Sequence, residues 1–255
     1  MTEEKKTYLT VVLDESGSMQ PSQDSTISGY NEFMDSQQDK ALGECSVTLV
    51  QFSARIGEFG GRSTKPVRTI YSDVPIDEVP PMTRDTYIPD GQTPLYDAVA
   101  QAINETDQKV KAGREVMEKL AGHPVQVGPL VIVVIMTDGM ENHSHQYNQK
   151  DVFDMIQGKR DIGWDFIFIG ANQDSFQTGG QMGIPQAMTA NYQTQNAVRA
   201  FASMGQSMSN YRSNYSAAMD NVAAMSDEDT ADAVKEAKAK IDEVRANYFE
   251  GKTDL

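Results

Sequence analysis

Residues 7–19 read TYLTVVLDESGSM, an apolar run that ends at Asp14 and gives way to hydroxyls at alternate positions. Tyr8, Leu9, Val11, Val12 and Leu13 show little polar alternation, which is the pattern of a strand buried on both faces of a parallel sheet. Asp14 therefore stands at a strand's carboxyl end, where open α/β sheets bind their ligands. Asp14, Ser16 and Ser18 place one carboxylate and two hydroxyls at spacing two in an extended loop, a spacing that can turn all three oxygens toward one point. Hard oxygen donors of this kind suit Mg²⁺, which keeps several waters and takes only one or two carboxylates from a protein. The competing reading is that Asp14 and the serines cap the helix that follows.

Working outward, a helix is expected to start within residues 21–25, with Ile27, Tyr30, Met34 and Ala41 near one face and Gly43 closing it. Residues 45–52 read as a strand and 67–71 as its neighbour across a Gly-rich loop, which makes an antiparallel edge. Residues 72–92 form a long connection ending TYIPDGQT, and connections of that length in compact domains are usually functional or disordered. Thr93 and Pro94 then suit the N-cap and first position of a helix that runs toward Gly122, either unusually long or broken near Gly113. Residues 129–137, PLVIVVIMT, are the clearest strand and stop at Asp138-Gly139. A helix at 151–157, a central strand at 164–169 and a weak last strand at 186–190 after a Gly-rich turn complete the alternation. It predicts an α/β fold: a doubly wound, mostly parallel sheet with one antiparallel edge strand, helices on both faces, and a C-terminal helical extension.

Composition narrows the function. A chain of 255 residues with 39% hydrophobic content can bury a sizeable core, and 37 acidic against 22 basic residues give a net charge of −15. That charge disfavours nucleic acid and anionic membrane surfaces. The N-terminus lacks an apolar signal region and the longest apolar run is too short to span a bilayer, so a cytoplasmic location is expected. Cys45 is the single cysteine, which rules out an internal disulfide or a thiolate zinc site; burial at the start of a strand is expected for it.

Three strand ends thus carry oxygen donors: Asp14, Ser16 and Ser18 after the first strand, Thr93 at a helix start, and Asp138 after PLVIVVIMT. Together, Asp14-Glu15-Ser16-Gly17-Ser18, Gly91-Gln92-Thr93-Pro94 and Thr137-Asp138-Gly139 resemble the metal-ion-dependent adhesion site (MIDAS) of the von Willebrand factor A domain, also called the integrin I domain. The likeness in order and spacing covers roughly residues 7–191. It implies that Ser16, Ser18 and Thr93 hold Mg²⁺ or Mn²⁺ through hydroxyls, with Asp14 and Asp138 holding its waters or switching into direct contact. It also implies a protein partner that offers Asp or Glu to the metal, and the chain resembles compact stand-alone bacterial or phage members more than an adhesion receptor. An adaptor or regulatory subunit of a separate AAA+ ATPase is the alternative, and a metal-dependent hydrolase ranks below it. No phosphate loop, Gly-x-Gly-x-x-Gly fingerprint or Gly-x-Ser-x-Gly elbow occurs, so no enzyme activity is expected. His143 and His145 read as exposed loop residues that lie just past the metal edge.

On this reading residues 1–193 form the domain and 194–255 an extension. Phe201, Met204, Met208, Tyr211, Tyr215, Ala218, Val222 and Met225 recur at spacings of three and four, and after a Ser226/Asp229 capping pattern Val234, Ala237, Ile241, Val244 and Tyr248 repeat the spacing. Two amphipathic helices follow from this. They either fold back as an αα-hairpin or pair through residues 201–248 with a second copy or a partner helix.

Overall fold

The computed structural model describes residues 6–55, 65–121, 128–171, 175–193, 196–223 and 230–249. The run of apolar residues after Lys6 forms β1 (Lys6–Asp14), all of it buried after the first residue. It pairs in parallel with β2 (Glu44–Phe52) on one side and β4 (Leu130–Thr137) on the other, with Leu9 opposite both Val47 and Ile132. β2 also pairs antiparallel with β3 (Val67–Pro75), the edge strand. Beyond β4 lie β5 (Asp165–Ala171) and the short β6 (Thr189–Tyr192), both parallel, giving the order β3-β2-β1-β4-β5-β6. This is the α/β fold read from the alternation of strands and helices.

The helices are α1 (Gln23–Ser36), α2 (Leu95–Ala121), α3 (Gln149–Arg160), α4 (Ser175–Gln181), α5 (Ala197–Ala223) and α6 (Thr230–Ala246). α1 packs with α5, and α2 packs with α3 and against β1. The connection β1–α1–β2 and the connection from β2 through β3 and α2 to β4 run in opposite directions across the sheet, so right-handed crossovers put α1 and α2 on opposite faces. On the α2 side, the buried hydroxyls of Thr10 and Thr106 meet at 2.7 Å, so the one polar residue in the middle of β1 is satisfied.

Some expectations shift. α1 ends at Ser36, and Ala41 belongs to a separate short 3₁₀ turn, Lys40–Leu42, because the buried Gln37 side chain leaves the helix to donate to the Gly205 carbonyl and Ser209 Oγ of α5. Of the two readings of α2 the longer holds, since it runs unbroken through Gly113, whereas residues 179–181, expected within a turn at 179–183, are the end of helix α4. The last strand begins at Thr189, three residues later than expected, after a 3₁₀ turn at Gln186–Met188. Met225 and the Ser226/Asp229 pattern lie outside the described residues. Among the described residues no helix is long and apolar enough to cross a membrane.

In the C-terminal segment, Phe201, Met204, Met208 and Tyr211 of α5 are buried, as are Ala237 and Ile241 of α6 and the following Tyr248 and Phe249. α6 is tied to the sheet by Arg245, whose Nε donates to Asp165 Oδ1 at 2.7 Å while Tyr211 Oη donates to Oδ2 at 2.5 Å. Burial raises the Asp165 carboxyl above its ordinary value, against the opposing pull of Arg245 and Tyr211. Removing one partner of a buried pair leaves an uncompensated charge. Arg245→Leu is therefore expected to cost about 2–4 kcal/mol in urea unfolding, and most of that loss should be recovered in Arg245→Leu/Asp165→Asn.

Candidate metal centre

Strand order reverses direction at β1. The connection through α1 leads to one side and the connection through α2 to the other, so a crevice opens at the carboxyl ends of β1 and β4. Asp14 and Thr137 end these two strands, and the sheet delivers them side by side: Thr137 Oγ1 donates to Asp14 Oδ2 at 2.5 Å. Asp14 Oδ1 accepts the Ser16 backbone N–H at 2.7 Å, which bends the following loop back over the carboxylate. Ser16 Oγ then lies 3.1 Å from Ser18 Oγ, and Ser18 Oγ donates to Asp138 Oδ1 at 2.5 Å.

Thr93 joins from the third loop. A Cβ built on Gly139 would lie 3.1 Å from Thr93 Oγ1, 3.3 Å from Ser18 Oγ and 3.7 Å from Asp14 Oδ2. Oxygens from the first two loops therefore crowd one point beside Gly139 of the third, where a Cβ would be a tight fit. Asp14, Ser16 and Thr93 are buried and Asp138 is half-buried, whereas Ser18 is exposed, so the cluster is walled by protein and open on one side. Every residue named from the sequence is brought together here.

The capping reading can be checked atom by atom. Ser16 makes no side-chain cap bond to the 3₁₀ turn that it precedes, Gly17–Ser22. The amides of Tyr96 and Asp97 in the first turn of α2 are taken by Glu141 Oε2 (2.9 Å) and Ser144 Oγ (3.1 Å), not by the expected Thr93. Thr93 is held instead by its backbone, its N–H donating to Asn142 Oδ1 at 2.8 Å and its carbonyl accepting the Asn142 N–H at 3.1 Å. Its hydroxyl thus remains available to the cluster.

Residues that sequence reasoning passed over make the frame. Glu15, although buried, bonds the Ile88 N–H at 2.7 Å and forms ion pairs with Arg55 and Arg68. Gly17 N–H reaches the Gly91 carbonyl at 3.0 Å, and a Cβ on Gly91, at φ +81°, would strike the Ala54 carbonyl. Asp97 accepts the amides of His145, Gln146 and Tyr147 within 3.0 Å, fixing the loop after Asp138 against α2. Their only sequence signal was position inside or beside the three motifs. His143 and His145 stack edge to face at 4.6 Å between ring centres in that same loop, with His145 exposed.

The donor set is selective about what it fits. Among the described residues no group of three or more His, Cys, Asp or Glu side chains is arranged to hold a metal. Neutral hydroxyls with two carboxylates suit a hard, hydrated cation rather than zinc or another imidazole- and thiolate-seeking metal.

No family model and no curated protein sequence matches the chain. Among solved structures, it is similar to the pilus adhesin SpaC of Lactobacillus rhamnosus GG in its open conformation, with TM-score 0.58, 13% identity, and 84% of this chain and 30% of that one covered. Proximal thread matrix protein 1 of the mussel byssus aligns with TM-score 0.47 and 18% identity over 78% and 47% of the two chains. The ArnB paralog VWA2 of Sulfolobus acidocaldarius aligns with TM-score 0.44 and 12% identity over 80% and 46%. The chain spans less than half the length of each of these structures, and the adhesin alignment establishes a shared fold.

Burial pushes the Asp14 carboxyl from its ordinary 3.8 up to about 6; the bonds from Thr137 and Ser16 pull it down, and the nearby Asp138 charge adds to the rise. Asp138 is itself raised by burial. Because the folded state holds the Asp14 proton more tightly than the unfolded chain does, this contribution to stability is present below the ordinary carboxylate value and is lost as pH rises toward about 6. The full effect is on the order of 3 kcal/mol. In chelator, the unfolding free energy of Asp14→Asn relative to wild type should therefore shift in the variant's favour by about 2–3 kcal/mol between about pH 4 and pH 7, measured by urea denaturation. A pH-independent difference would show that Asp14 pays no penalty for ionising in the fold.

Proposed function

We propose that this chain is a von Willebrand factor A-type interaction module that holds Mg²⁺ or Mn²⁺ at the cluster and uses it to capture an acidic side chain of a protein partner. The observation that carries the reading is the oxygen-lined gap beside Gly139, where Asp14 and Ser18 from the end of β1 and Thr93 from the loop before α2 meet the turn after β4. Ser16, Ser18 and Thr93 would hold the cation through hydroxyls, and Asp14 and Asp138 through its waters. A cation there supplies an electrophilic site at which a carboxylate can replace water.

The residues of the chain support this role in three ways. Two raised carboxyls in one cluster, Asp14 at the gap and Asp138 bonded to Ser18 beside it, are relieved by a positive charge. The few direct carboxylate contacts leave the cation's charge largely unneutralised, which favours an anionic ligand from outside. Exposure at Ser18 gives such a ligand a way in, while Thr137 and the buried face of Asp14 close the floor. Binding rather than turnover is proposed, with the partner's carboxylate as the ligand.

Titration calorimetry with Mg²⁺ and Mn²⁺ tests the reading. Wild type should bind one equivalent saturably. Thr93→Ala, which deletes a hydroxyl, and Gly139→Ala, which fills the gap, should each weaken binding about tenfold or more while keeping the wild-type circular dichroism spectrum. Absence of saturable binding in wild type, or unchanged affinity in both folded variants, overturns the proposal.

A further inference from the structure

A cavity of about 340 Å³ lies between the start of β3, the first turns of α2 and the loop after β4. Its volume falls at the lower end of the range for small-molecule sites, about 300–1,000 Å³. None of Asp14, Ser16, Ser18, Thr93 or Asp138 lines it, so it is separate from the oxygen cluster.

The polar wall of this cavity is fixed before any ligand arrives. Asp97, Gln101 and Glu105 follow one another at spacing four along one face of α2. The Asp97 carboxylate accepts the amides of Gln146 and Tyr147 on Oδ1, at 3.0 and 2.9 Å, and that of His145 on Oδ2 at 2.9 Å. Glu105 accepts the Thr69 hydroxyl of β3 at 2.7 Å and Gln101 Nε2 at 2.9 Å, and Gln101 Nε2 also donates to Thr69 Oγ1 at 3.1 Å. Asn104 Nδ2 donates to Tyr147 Oη at 3.4 Å, across from α2 to the third loop. Both carboxylates are therefore already engaged by protein donors, and Lys65, which also lines the cavity, offsets one of the two formal charges.

The valences that stay open are of both kinds. Among the described residues, Gln101 Oε1 and Asn104 Oδ1 accept no hydrogen bond, while Asn104 keeps a second amide proton and Tyr147 its hydroxyl proton. Half-buried Pro66, Val67 and Tyr147 add apolar surface to the same lining. We propose that this cavity binds a neutral polyhydroxylated ring, a simple sugar or the terminal sugar of a glycan. Hydroxyls that both donate and accept match the mixed amide wall, and the C–H faces of such a ring match the apolar part. A cationic ligand would find both carboxylates engaged, and an anionic one would meet their charge.

Methyl glucoside, methyl galactoside and methyl mannoside serve as probes, each titrated against the full chain and followed by NMR, with the cation agmatine run in parallel. At least one glycoside should bind saturably in the millimolar range, with equal affinity in Mg²⁺ and in chelator. Gln101→Leu and Asn104→Ala should each weaken it about fivefold while keeping the wild-type circular dichroism spectrum. Asp14→Asn should leave it unchanged. Absence of saturable binding by all three glycosides, unchanged affinity in both cavity variants, or tighter binding of agmatine than of every glycoside overturns the proposal. Glycoside binding abolished by chelator or by Asp14→Asn also overturns it, because the sugar would then sit at the oxygen cluster. Mg²⁺ affinity in the calorimeter does not enter the outcome, so this proposal and the metal reading fail separately.

Discussion

The position of one carboxylate governs the site. Asp14 ends a strand that is buried throughout after its first residue, and its two oxygens are pinned by the Ser16 amide on one side and the Thr137 hydroxyl on the other. The first bond folds the serine loop back toward the strand end, and the second joins β1 to β4 across the point where the sheet's connections diverge. Ionising this group in the fold is unfavourable, since burial outweighs the two bonds that favour the charged form. The chain accepts that cost at a position where an Asn would keep the shape and remove the charge, as expected where a local rule is broken for function rather than stability.

Around this anchor the three loops are held by bonds that cross between them as well as by bonds within each. Glu15 reaches from the first loop to the Ile88 amide and to Arg55 and Arg68, while Asp90 N–H returns to the Glu15 carbonyl. Glu141, Asn142 and Ser144 of the third loop bond the backbone of the second at Thr93, Tyr96 and Asp97. The helix termini and loop amides are thereby satisfied by side chains outside the oxygen cluster. The hydroxyls of Ser16, Ser18 and Thr93 are relieved of structural duty, which distinguishes this arrangement from an ordinary set of helix caps.

How much of this could be read from the chain follows from where the determining contacts lie. β1 and β4 were legible because strands buried on both faces become continuous apolar runs, and β3 because its sequence follows β2 with a glycine-rich stretch and no helical pattern between them. Asp14, Ser16, Ser18 and Asp138 were legible because they follow such strands directly, and Thr93 because it stands with Pro94 at a helix start. α4 was not: Gly179 and Gly180 are poor helix formers, and the helix exists through packing against β5 and β6. The end of α1 was set by Gln37 reaching α5 at Gly205, a contact 168 residues away in the chain. Thr93 was read as the cap because it stands where a cap belongs; the actual cap, Glu141, is 45 residues from Tyr96 in sequence and beside it only in the fold.

The C-terminal helices belong to the same physical argument. The seam of α5 lies against α1, the helix that begins where the serine loop ends, and the buried Arg212 of α5 donates to the carbonyls of Gln37 and Gly43 beyond α1. α6 in turn packs on α5 and clasps Asp165 at the start of β5 through Arg245, at the opposite end of the sheet from the oxygen cluster. A destabilising carboxylate at one edge is thus set within a core closed by two long helices and a buried ion pair at the other. Rigid support far from the cluster is what lets three irregular loops keep their oxygens aimed at one gap, because a site held to within a fraction of an ångström depends on elements that do not move with it.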